Sequence, residues 1–179
     1  MRVRLTFPSN SVVVVAGVPG AGKTTLIRRA VDPGAVRVVD TDDRRDGRPR
    51  PLLYAGHYAR IAAAVAGRRP AVIHSRGTHA SLRRAIAVLA ALRGRPAHLV
   101  LLDAERAEAE AGQRARGRTV APEEMDRQVA RWRRLLADRP DGEGWASVVM
   151  LDRDQAARTQ AFEFPAEPAR EPQAAPATI

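Results

Sequence analysis

The run Gly17-Val18-Pro19-Gly20-Ala21-Gly22-Lys23-Thr24 has the spacing G-x-x-x-x-G-K-[ST], the pattern of a loop that wraps phosphate groups. The residue types dictate the chemistry. Glycines let the backbone turn so that successive N–H groups converge on phosphate oxygens, and a helix starting at the end of the loop adds its positive pole. Lys23 supplies a compact ammonium on a flexible stem that reaches the β- and γ-phosphates, and Thr24 offers a hydroxyl to Mg²⁺. Gly17, Pro19, Gly20, Ala21, Gly22, Lys23, Thr24 and Thr25 are therefore the candidate residues for holding a nucleoside triphosphate, with Thr25 near the α-phosphate. Lys23 has a second distinction. Of thirty cationic side chains, twenty-nine are arginine and this one is lysine. A broad planar guanidinium suits a phosphate cradle of this kind poorly, so the loop is a position that arginine cannot fill.

A second group of residues that could do chemistry is Asp40-Thr41-Asp42-Asp43, followed by Arg44-Arg45. Two roles suit carboxylates beside a triphosphate. One accepts the proton of an acceptor hydroxyl as it attacks the γ-phosphate, and another helps to organise Mg²⁺, a role open to Asp40 or Asp42. The alternative is a capping and turn cluster, which needs fewer than three aspartates. Further on, His74-Ser75-Arg76-Gly77-Thr78 places Arg76 to meet an acceptor, with His74 and Ser75 as hydrogen-bonding groups beneath the phosphates. Mg²⁺ prefers oxygen ligands, which argues against His74 as its ligand.

These groups need elements to carry them. Five apolar, β-branched runs alternate with helical patterns, the signature of βαβ units around a parallel sheet. The strands expected are 12–16, 36–39, 71–74, 98–102 and 146–151. The helices expected are about 22–31, closed by Asp32-Pro33-Gly34, then 52–66, 81–92, one that Asp103 could cap, and 122–136 with Pro122 at its first turn. Residues 44–51 and 113–119 read as connections. The acidic run and the 74–78 run then both fall at the carboxyl ends of strands, the edge of an open α/β sheet where ligands bind. His57 and Tyr58, on the helix after the acidic run, read as structural. The expected organisation is one domain over residues 1–158 and a disordered Ala/Pro/Glu-rich tail over 159–179.

Composition sets the outer limits. The chain of 179 residues has no cysteine, so neither a disulfide framework nor a thiolate metal site can form. Its apolar runs are strand-sized and its first residues lack the apolar core of a signal peptide, which makes a cytoplasmic protein with no membrane partner the expectation. The net charge of +10 favours polyanions, and nucleic acid is a possible partner. Two Trp, two Tyr and three Phe are too few to reveal a base-stacking platform.

The phosphate loop together with Asp-x-Asp at the end of the second strand resembles the P-loop kinase-like, AAA-type ATP-binding proteins, and within them the polynucleotide 5′-kinase and zeta-toxin phosphotransferase group. The resemblance implies an α/β P-loop NTPase three-layer sandwich, with a parallel five-stranded sheet in the order 2-3-1-4-5 and helices on both faces. It implies ATP and Mg²⁺ as cofactors, with the metal at Thr24 and Asp40. Asp42 matches the general base of both groups, and Arg45 lies near the acceptor-positioning arginine of the kinases. The stretch 113–118 occupies the lid position, where Arg114 and Arg118 would share a helical face and neutralise charge developing during transfer. Departing from the pattern, the third strand ends in His74 where an aspartate is usual. The implied activity is transfer of the γ-phosphoryl group of ATP to a hydroxyl on a polynucleotide 5′-end, a nucleotide sugar or a small metabolite. The alternative is a nucleotide-binding regulatory or switch ATPase with low turnover.

Overall fold

The valine run from Val12 has no polar face because both of its faces are covered. In the computed structural model, which describes residues 2–40, 50–115, 117 and 120–166, it forms β2 (Val12–Gly17), preceded by β1 (Val3–Thr6). There follow α1 (Lys23–Ala30), β3 (Arg37–Val39), α2 (Arg50–Ala66), β4 (Ala71–His74), α3 (Ala80–Leu92), β5 (Ala97–Leu102) and α4 (Arg106–Arg114). After these come α5 (Pro122–Asp138), a 3-10 turn at Pro140–Glu143, β6 (Ser147–Leu151), α6 (Arg153–Arg158) and β7 (Thr159–Glu163). The main sheet is five-stranded and parallel in the order β3-β4-β2-β5-β6, so the expected 2-3-1-4-5 arrangement holds.

Alternation is present in β2 after all. Val12, Val14 and Ala16 join one core with Ile61, Ile86, Met125 and Trp132 from α2, α3 and α5. Val13 and Val15 join another with Leu26 and Ile27 of α1, Ala156 of α6 and Phe162 of β7. Each side of the pleat therefore meets its own helical layer, which is why the strand reads as a continuous apolar run. At the end of α1, Asp32 Oδ1 accepts from Gly34 N at 2.9 Å, the turn that Asp32-Pro33-Gly34 foretold.

Three expectations need correction. The boundary at residue 158 cuts α6 from β7, yet β7 pairs in parallel with β1 as a second, two-stranded sheet. Phe162 and Phe164 each pack 5.7 Å from the Phe7 ring, and Phe7 lies 5.0 Å from the His98 ring, so residues 159–164 share the core of the same unit. Residues 167–179 of the expected tail lie outside the described residues. Asp103 does not cap α4. Its carboxylate accepts from Trp132 Nε1 at 3.0 Å and seats α5, while Glu105 and Glu108 form the capping box of α4. Finally, α2 begins at Arg50, inside the stretch read as a connection. No described helix is long and apolar enough to cross a membrane.

The C-terminal end of α2 is closed by an arginine. Arg95, 5% exposed, donates from Nε to Asn10 O (2.7 Å), from Nη1 to the carbonyls of Ala64 (2.8 Å), Val65 (2.7 Å) and Gly67 (2.6 Å), and from Nη2 to those of Ser11 (3.3 Å) and Arg69 (2.6 Å). Helix-end carbonyls without intrahelical partners are satisfied by the one side chain with enough donors.

Candidate functional site

The phosphate loop leaves β2 at Gly17 and enters α1 at Lys23. Gly17 has no room for a side chain, because a Cβ there would lie 2.8 Å from Leu102 O on the neighbouring strand. Gly20 (φ +92°) and Gly22 (φ +91°) adopt left-handed conformations that glycine alone reaches cheaply, and Gly22 forms the N-terminal cap of α1. Lys23, 5% exposed, curls into the loop, where Nζ donates to Gly17 O at 2.8 Å and Val18 O at 2.9 Å. Thr24 is half-buried and Thr25 exposed in the first turn of the helix. The sequence-predicted loop residues Gly17 to Thr25 therefore stand together at the carboxyl edge of the sheet, with Pro19 and Ala21 half-buried in the turn.

Register brings the next pair together. β3 and β4 align Val39 with Ile73, so Asp40 and His74 are the next residues in line and fall on the same side of the sheet. Their side chains meet, Asp40 Oδ1 against His74 Nδ1, both largely buried. Arg60 of α2 donates to the Asp40 carbonyl at 3.3 Å. Beside them His57 is buried with an Nδ1 that has no partner, and its pKa is pushed down by burial first, then by the charges of Arg60 and His74, against an opposing pull from Asp40. Tyr58, its neighbour, is exposed. His74 thus meets the carboxylate at the end of β3, a partner that its expected place beneath the phosphates did not suggest.

Arg76 sits on a loop pinned at several points. Ser75 N donates to Val15 O at 3.0 Å, and Ser75 Oγ accepts from Gly77 N at 3.1 Å. Gly77 (φ +71°) passes so close to β2 that a Cβ would lie 2.3 Å from Ala16 Cβ. Its carbonyl accepts from Arg83 Nη1, and Arg83 forms a two-pronged pair with Glu143, Nε to Oε2 at 2.8 Å and Nη2 to Oε1 at 2.5 Å. Burial pushes the Glu143 carboxyl up, but hydrogen bonds from Arg83 and Trp145 and the charges of Arg83 and Arg84 outweigh it and hold the group below its ordinary value. Arg76 itself projects into solvent. Thr78 Oγ1 is buried without a partner. Nothing in a chain this rich in arginine marks Arg83 for such a role, and Glu143 sits in an unremarkable Asp-Gly-Glu turn, so sequence reasoning missed both.

Arg114 lies at the end of α4, exposed, with Nη1 4.0 Å from Glu110 Oε2. Asp42, Arg45 and Arg118 lie outside the described residues, as do Thr41, Asp43 and Arg116. For a metal, the described residues offer Thr24 and Asp40, a hydroxyl and a carboxylate; both are hard oxygen donors of the kind Mg²⁺ requires, so they fit it. No group of three or more His, Cys, Asp or Glu among the described residues could hold an ion by itself.

A model of the AAA domain family matches residues 12–139. Among curated proteins no sequence matches. A gluconokinase from Sinorhizobium meliloti is 17% identical with a TM-score of 0.56, over 86% of this chain and 91% of that one. Kti12 from Chaetomium thermophilum, solved in complex with ADP-AlF3, is 18% identical with a TM-score of 0.52, over 83% of this chain and 94% of that one. A chain of the Pnkp1/Rnl/Hen1 RNA repair complex is 16% identical with a TM-score of 0.61, over 74% of this chain and 47% of that one. At these identities the likeness is one of fold, and the fold is that of the P-loop kinases.

Proposed function

The chain belongs to the AAA domain family, and on that footing we propose that it is an ATP-dependent phosphotransferase moving the γ-phosphoryl group to a hydroxyl acceptor. The observation that carries this reading is the juxtaposition of a glycine loop closed around Lys23 with a carboxylate, Asp40, held by His74 at the same edge of the sheet. The loop amides and Lys23 bind the β- and γ-phosphates and fix the donor for in-line attack. Thr24 and Asp40 hold Mg²⁺, which when bound neutralises charge on the phosphates. Asp42 acts as general base on the acceptor hydroxyl, Arg45 and Arg76 position the acceptor, and Arg114 and Arg118 stabilise charge on the transferred group. The acceptor classes open to it are a polynucleotide 5′-end, a nucleotide sugar and a small metabolite; a gluconokinase and a chain of an RNA repair complex share the fold. The test is an acceptor screen with γ-labelled ATP, comparing the wild type with Asp42→Ala. Transfer abolished by the substitution with ATP binding retained is the expected result.

One observation favours a second reading, a nucleotide-dependent switch with low turnover. The fourth strand of the chain, β4, ends in His74 where kinases of this kind place a carboxylate, and the His74 imidazole is committed to Asp40. ATP binding with no transfer to any acceptor class in the same screen would select the switch.

A further inference from the structure

We propose that Gln113 is a positioning residue for the nucleotide phosphates, acting by holding the Pro19–Gly20 peptide of the loop in its binding orientation. The proposal rests on the reading of that loop as a triphosphate site. Gln113 lies in the last turn of α4 and is 7% exposed. Its Nε2 donates to Pro19 O at 3.1 Å, and its Oε1 accepts from Val120 N at 2.9 Å. The two partners fix which end of the amide is which, because a carbonyl can only accept and a backbone N–H can only donate.

The consequence follows from peptide geometry. The chain has no cis peptide among its described residues, and a trans peptide sets its C=O and N–H in opposite directions. A Pro19 carbonyl tethered to α4 therefore turns the Gly20 N–H away from α4. If this peptide rotated, an oxygen would stand where a phosphate loop needs a donor. Locally, Ala21 N donates to Val18 O at 3.1 Å and closes a turn through Pro19 and Gly20, whose φ of +92° is the type II geometry that Pro-Gly favours, although glycine still tolerates the rotated peptide. α4 adds a second constraint from outside the loop, at close quarters. A Cβ on Gly20 would fall 2.0 Å from Ala109 O, and one on Gly112 would fall 2.4 Å from Gly20 O. Helix and loop backbones are in direct contact along this seam, and Gln113 is the side chain that crosses it. Its second bond, to Val120, ties the same amide to the far side of the 114–119 stretch.

The substitution Gln113→Glu separates the two bonds. A glutamate oxygen still accepts from Val120 N, but no donor remains for Pro19 O. Binding of Mg²⁺ and the non-hydrolysable analogue AMP-PNP is measured by calorimetry, and the Gly20 amide is followed by NMR in ¹⁵N-glycine-labelled protein. Tenfold or greater loss of affinity is expected, with a displaced Gly20 amide signal and a rise in KM for ATP larger than the fall in kcat. Affinity within twofold of the wild type and an unmoved Gly20 signal would overturn the proposal. Should Gln113→Glu not fold, Gln113→Met, which keeps the volume and removes both bonds, decides on the same two readouts. A wild-type protein that fails to bind AMP-PNP refutes the nucleotide reading itself, a separate outcome.

Discussion

Replacing Arg95 with lysine keeps the charge and removes the fan of donors. The guanidinium reaches six carbonyls, those of Asn10, Ser11, Ala64, Val65, Gly67 and Arg69. One of the six, Ser11 O, also accepts from Ala71 N, and an ammonium has three N–H groups radiating from one point, so at least two of the other five lose their partner. Each carbonyl left without a donor costs about 1 kcal/mol or more, giving roughly 2 kcal/mol for Arg95→Lys. For a domain of this size a change of 1 kcal/mol moves the midpoint by roughly 2–4 °C, so the predicted fall is about 4–8 °C. Denaturant titration of wild type, Arg95→Lys and Arg95→Met gives the free energies directly, and Met, with no donors at all, should cost more than Lys. A loss below about 1 kcal/mol for Arg95→Lys would refute the reasoning, because it would mean that water or another side chain replaces the guanidinium at no cost.

The reverse exchange, Lys23→Arg, should cripple nucleotide use by at least about two orders of magnitude in kcat/KM, since the ammonium sits as a point charge between the Gly17 and Val18 carbonyls and a planar fork of donors matches that geometry poorly; near-normal phosphoryl transfer would show that the lysine is dispensable. Glu143 has a folded-state pKa below its ordinary 4.5, so its stabilisation is fully present above that value and is lost as pH falls through the folded pKa. Acid unfolding of Glu143→Gln, followed by fluorescence, should therefore start from a lower stability, by about 3–5 kcal/mol at neutral pH, and show a shallower dependence below pH 4.5 than the wild type. Phe162→Ala should cost about 3–5 kcal/mol, and a chain ending at residue 158 should lose cooperative unfolding, as calorimetry would record; an unchanged transition would restore the boundary expected from composition.

The main sheet could be read from the sequence because its strands are buried on both faces and so appear as unbroken apolar runs. The phosphate loop was legible because its spacing is set by backbone geometry, which glycine alone satisfies at Gly20 and Gly22. What escaped notice was the half-exposed periphery. β1 reads Val-Arg-Leu-Thr with every second residue partly buried, a two-residue period too short to stand out, and its partner β7 begins in a segment dominated by polar and small residues. Neither strand is stable alone; each is defined by the other across more than 150 residues. The α6 signal was there to be found, because Asp152 and Gln155 are spaced as a capping box and form one. The Asp40–His74 contact needed the register of β3 on β4, and Gln113 needed the distance between two backbones, neither of which sequence spacing encodes.

The same structural facts change what the charge of the chain means. A net +10 suggests a polyanion partner, but several arginines are engaged within the fold rather than displayed on it. Arg95 closes α2, Arg93 donates to Ala66 O at the same helix end at 3.1 Å, and Arg29 donates to Thr159 O at 3.0 Å and to Ala156 O beside the end of α6. Arg83 holds Gly77 O and Glu143. Helix ends present diverging carbonyls with partial negative charge, and a five-donor fork covers them better than a point charge can. That is a structural use for arginine, independent of any nucleic acid. The demand at position 23 is the opposite one: a single compact charge that fits within one turn of backbone. The lone lysine of this chain is thus found where its ammonium donates to the Gly17 and Val18 carbonyls within one turn of backbone.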